Sequence, residues 1–145
     1  MDLPPDVLQK FRRAGRRGGR RRAMRLSPRE RRAAGRRAAT ARWIAERFGA
    51  SSFAATGLPG AELVDAGLAD LADGVTSNES LLVSLAAPRL RREGVPLGAT
   101  EADPERRLYE RLERSEGALA HARYNALRRR VVSFADACRL ARVDR

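Results

Sequence analysis

The stretch Leu26-Ser27-Pro28-Arg29-Glu30-Arg31-Arg32-Ala33-Ala34 decides the fold. Ser27 can accept from the backbone amide of Glu30, and the Glu30 carboxylate can reach back to the Ser27 amide. Pro28 falls in the first turn, where a missing N–H leaves nothing unpaired. A helix that starts here meets good helix formers up to Phe48 and a stop at Gly49. Its apolar stripe reads Ala34, Ala38, Ala41, Ile44, Ala45 and Phe48. These are mostly methyl groups, so the helix is stable only when docked or long.

The same punctuation recurs downstream. After a connector over residues 50–60, a helix is predicted over 61–72, with Leu63, Val64, Leu68 and Leu71 inward and Gly74 at its end. Thr76 or Ser77 caps the next helix, which carries Leu81, Leu82, Leu85 and Leu90, and Pro88 is expected to kink or split it. Asp103-Pro104 repeats the cap-then-proline signature ahead of Leu108, Tyr109 and Leu112. A break near Gly117 leads into a helix over 119–130, and Ser133 is expected to cap a last one with Phe134, Ala137, Cys138 and Ala141. Alanine (26) and leucine (17) far outnumber Val, Ile and Thr together (13), and no run alternates with period two.

Upstream of Ser27 the pattern changes. Pro4 and Pro5 open a short helix with Val7, Leu8 and Phe11 on one side, and then nine positive charges and no acid follow between Lys10 and Arg25. Mutual repulsion and the glycines at 15, 18 and 19 predict a segment that is disordered, or ordered only on a partner. The fold class read from the chain is all-α: a small irregular helical bundle with a basic, partly disordered N-terminal arm and one capped Ala/Arg-rich helix. The expected division is 1–26 basic arm with a short N-terminal helix, 27–49 Ala/Arg-rich helix, 50–60 linker, and 61–145 neutral helical bundle.

Charge follows that division. The 145 residues carry a formal +12, yet residues 1–49 hold 16 basic and 4 acidic side chains while residues 50–145 hold 14 of each. One cysteine and one histidine cannot build a disulfide framework or a Cys/His zinc cluster, so a metal site would need carboxylates alone; no metal site and no cofactor is the expectation. The longest apolar run, residues 81–87, is interrupted by Ser84 and is far short of the roughly 20 residues that cross a bilayer. Arginine follows the basic segment where a signal peptide would need an apolar region, and Asp2 and Asp6 count against a transit peptide. A cytoplasmic setting, with no membrane partner, is the expectation.

Arginine pairs with phosphate or carboxylate in a bidentate manner. Arg12, Arg13, Arg16, Arg17, Arg20, Arg21, Arg22 and Arg25 therefore point to nucleic acid or to an acidic protein surface as the partner of the arm. Trp43, outside the alanine stripe with Arg36 and Arg47 beside it, reads equally as an interface anchor or as a ring covered by Arg47 on a wider core face. For catalysis the sole histidine offers one constellation, His121 with Asn125 four residues on. Arg114 through His121 resembles the arginine–six residues–histidine pattern of HEPN ribonucleases, which implies arginine steadying a phosphate oxygen while histidine moves a proton. The alternative is helix-surface residues that hydrogen-bond locally. Cys138 reads as a small core residue.

Gly18-Gly19, Leu26-Ser27-Pro28-Arg29-Glu30-Arg31-Arg32 and Ala38-Ala39-Thr40-Ala41-Arg42-Trp43 together resemble a Gly-Gly, Leu-Ser-Pro-Glu-Arg, Ala-Ala-x-x-Arg-Trp signature of small bacterial proteins. Gly60-Ala61-Glu62-Leu63-Val64, Gly67-Leu68-Ala69-Asp70-Leu71, Ala87-Pro88-Arg89-Leu90 and Arg123-Tyr124-Asn125-Ala126-Leu127 are similar to bacterial proteins that neighbour nucleotidyltransferase-type toxins of the AbiEii class. That resemblance implies an antitoxin-like protein whose partner is such a toxin. The expected function is a non-catalytic binding protein of a toxin–antitoxin or defence module. Its arm would contact an acidic cleft or nucleic acid. The alternatives are a sequence-nonspecific nucleic-acid-binding protein and a metal-independent RNase using Arg114 and His121.

Overall fold

The computed structural model describes residues 4–143, so Asp2 lies outside the described residues. Among these residues there are six α-helices and no strand: α1 (Pro5–Arg25), α2 (Pro28–Phe48), α3 (Ala61–Asp73), α4 (Asn78–Arg92), α5 (Pro104–Glu116) and α6 (Ala120–Val143). Short 3-10 turns at Ala54–Thr56 and Gly117–Leu119 precede α3 and α6.

The capping box forms as the sequence dictates. Glu30 N–H donates to Ser27 Oγ at 3.2 Å, and Ser27 N–H donates to Glu30 Oε2 at 2.7 Å. These bonds hold the Glu30 carboxyl below its ordinary range, the Ser27 backbone amide contributing most. Gly49 closes α2 in the left-handed conformation at φ 66°, which an L side chain would resist. Ser77 caps α4 by the same reciprocal arrangement with Ser80. Asp103 departs from expectation. It lies at φ 45°, makes no side-chain cap, and pairs with Arg106 instead.

α4 is the central element: Leu81, Leu82, Val83, Ala87 and Leu90 are all buried, and the helix is continuous through Pro88 instead of splitting. Pro88 is exposed, so the buried residues of α4 around it, Leu81, Leu82, Ala87 and Leu90, keep their core contacts and hold the helix on both sides of the interruption. α3 presses close to α4 at Gly67, where a Cβ would collide with the Glu79 carbonyl and the Val83 side chain. Leu108 and Leu112 of α5, with Leu127, Val131, Phe134 and Cys138 of α6, complete the core. Burial pushes the Cys138 thiol up to about 11, in keeping with a core residue.

Three expectations are corrected. First, α6 runs unbroken past Ser133, which is an exposed mid-helix residue and caps nothing; Val131, Phe134, Ala135 and Cys138 on either side of it are buried in the core, and that docking carries the helix through. Second, residues 50–60 do not separate two units. Phe53 is fully buried, and Asp65 accepts from the Phe53 and Ala54 amides at 3.1 and 2.7 Å, which ties the connector to α3. Because Ile44 and Phe53 belong to the same core as α3–α6, the bundle begins at Pro28. Third, α2 is rolled relative to the alanine stripe. It buries Ala33 and Ile44 and half-buries Arg36, Thr40, Trp43 and Arg47, leaving Ala34, Ala38, Ala41 and Ala45 exposed. One indole outweighs several methyl groups in area removed from water, so Trp43 sets the inward face.

Candidate docking helix

α1 covers most of the segment expected to be disordered. Pro5 occupies its first turn beside Asp6, and Arg22 and Arg25 lie in its last turn, so the charges at both ends complement the helix dipole. Arginine is also a good helix former. The helix gains nothing from the bundle core: among its described side chains only Val7 is even half-buried, and Phe11 is 65% and Met24 82% exposed.

The helix places its charges asymmetrically. At about 100° per residue, Lys10, Arg12, Arg13, Arg16, Arg20 and Arg21 fall within about half the circumference, and all are exposed. Arg17 shares that arc by position. The opposite half carries Val7, Leu8, Phe11, Ala14, Gly15 and Gly18, with Arg22 and Arg25 as its only cations. The first group of sequence-predicted residues is therefore brought together, but on an ordered helix with two faces.

The second group has other employment. Arg36 Nη2 donates to the Ala72 carbonyl at 3.2 Å and Arg47 Nη2 to the Cys138 carbonyl at 2.9 Å, so each guanidinium staples α2 to another helix. The Trp43 ring lies 5.5 Å from Phe48 and 5.8 Å from Phe53, with the Arg47 guanidinium 5.7 Å over it. Of the two readings of Trp43, this geometry is that of the covered core-face ring. Arg36, Trp43 and Arg47 do not join the α1 arginines.

The third group lies at the α5–α6 corner. Arg114 donates through Nε to its own helix at the Glu110 carbonyl, 3.1 Å away, and His121 is hydrogen-bonded to Asn125 at 3.0 Å. The 3-10 turn at Gly117–Leu119 puts Arg114 and His121 on different helices. Both are exposed, and no described cavity is lined by either. Among the described residues, no three potential metal ligands gather.

Two features escaped the sequence reading. Thr76, Glu101 and Arg107 form a network in which Glu101 accepts from Thr76 Oγ1 at 2.9 Å and from Arg107 Nη1 at 2.8 Å. Those two hydrogen bonds, Thr76 the larger, hold the Glu101 carboxyl below its ordinary range. The other is a groove of about 210 Å³ between α4 and α6, with Leu82, Leu85 and Val131 in its floor and Arg89, Arg92 and Arg128 among its lining. Both depend on pairings between segments far apart in the sequence, which no local spacing announces. No helix is long and apolar enough to cross a membrane among the described residues. Compared with family models, curated proteins and solved structures, the chain matches none.

Proposed function

We propose that this chain is a non-catalytic binding protein, the antitoxin-like component of a bacterial toxin–antitoxin or defence module, and that α1 is the element with which it engages an anionic macromolecule. The observation that carries this reading is the exposed basic half of α1, on which Asp6 in the first turn is the one acid and from which no described side chain enters the core. A helix held together for its own sake would not be built this way. Its like-charged neighbours four apart, Arg12/Arg16/Arg20 among them, each cost a few tenths of a kcal/mol, and each interior glycine costs about 1 kcal/mol. A polyanion removes the repulsion and releases counterions, so binding and helix consolidation support each other.

The resemblance to neighbours of AbiEii-class toxins supplies the antitoxin side of the proposal, and a nucleotidyltransferase-type toxin is the protein partner it names. Co-expression with the product of the adjacent gene tests it. A complex that survives purification, and restored growth of cells carrying the toxin, are expected. Growth inhibition that persists with no complex recovered refutes the antitoxin reading.

A further inference from the structure

We infer that the anionic surface recognised by α1 is the major groove of duplex DNA. This rests on the reading of α1 as a polyanion-docking helix and names the ligand class for it. The first argument is angular. A flat acidic protein surface meets one side of a helix, whereas the cations of α1 spread over about half its circumference. Two phosphate walls flanking an inserted helix present charge over that wider arc. Arg12 and Arg21 stand at the arc's two edges, toward opposite walls, and Arg16 and Arg20 lie between them, toward the floor.

The second argument is size. A helix about 10–12 Å across fits a major groove about 12 Å wide, and 21 residues extend about 31 Å along it. The A-form groove of duplex RNA is too deep and narrow to admit it. The third is composition. The arc holds no aromatic ring on which an unpaired base could stack, since Phe11 belongs to the opposite half. Glycines 15 and 18 on that opposite half have nothing within 4 Å of where a Cβ would stand, which leaves the outward side slim.

The experiment titrates the full chain against a fluorescent 20-base-pair DNA duplex, the RNA duplex of the same sequence, the DNA single strand, and poly-glutamate. Two variants that remove equal charge are run beside it: Arg12→Ala with Arg21→Ala at the two phosphate-facing edges of the arc, and Arg22→Ala with Arg25→Ala off it. Alanine keeps the helix, so folding is not at issue. Duplex DNA is expected to bind tightest. The arc variant should weaken it about ten-fold or more and flatten the logarithmic salt slope by about two, while the off-arc variant has a clearly smaller effect. Equal binding of poly-glutamate, single strand or RNA duplex, or equal weakening by the two variants, overturns the groove assignment and leaves polyanion docking standing. If no polyanion binds the full chain, both fall.

Discussion

Trp43 separates structural from interfacial roles more sharply than any other residue. Its ring sits among Phe48, Phe53 and the Arg47 guanidinium. Trp43→Ala is therefore expected to destabilise the fold by about 3 kcal/mol, read as a lower denaturation midpoint, while leaving polyanion binding by α1 unchanged. Unaltered stability with lost binding would return Trp43 to the interface. Glu101 gives a pH-dependent counterpart. Its folded pKa lies below the ordinary 4.5, so its contribution is fully present above that value and disappears as pH falls through the folded one. Glu101→Gln should cost about 1–2 kcal/mol at neutral pH, and the melting temperatures of variant and parent should converge as the pH falls through the lowered pKa of the folded state. A gap that stays constant across that range would contradict the assignment.

At the scale of elements, what could be read from the sequence was what local chemistry decides. The Ser27–Glu30 box, the Gly49 stop and the Gly74 end of α3 all need only neighbouring residues. What misled was competition between distant groups. The alanine spacing of α2 gives a clean stripe, but its roll is set by Trp43 meeting Phe53, a partner in what reads as a Ser/Gly/Ala-rich connector. Repulsion in α1 is plain in the sequence, whereas arginine's helix propensity and the charges at both helix ends offset it. The α1 arginines were legible as a group; Arg36 and Arg47 were not separable from them, since only tertiary carbonyl partners reveal their different work. The α3–α4 contact makes its own prediction. Gly67→Ala forces a methyl onto the Glu79 carbonyl and the Val83 side chain, so a loss of about 1–3 kcal/mol is expected in denaturant unfolding, against a gain of about 0.5–1 kcal/mol for Gly35→Ala, where a Cβ meets open space in the interior of α2.

For the molecule as a whole, the net charge of +12 is a property of one end. On the reading proposed above, the bundle from α2 onward answers for stability and α1 for capture of an anionic partner, so the two should be separable by experiment. α1 lends no described side chain to the core, and Leu26 joins it to α2 in an extended conformation. The most direct test is an anisotropy titration of labelled duplex DNA against the full chain and against a chain lacking residues 1–25, repeated from about 50 to 200 mM salt, with a thermal melt of each sample. The account predicts that the shortened chain melts at the same temperature and loses the steeply salt-dependent binding. Binding that survives the deletion with an unchanged salt slope would contradict it.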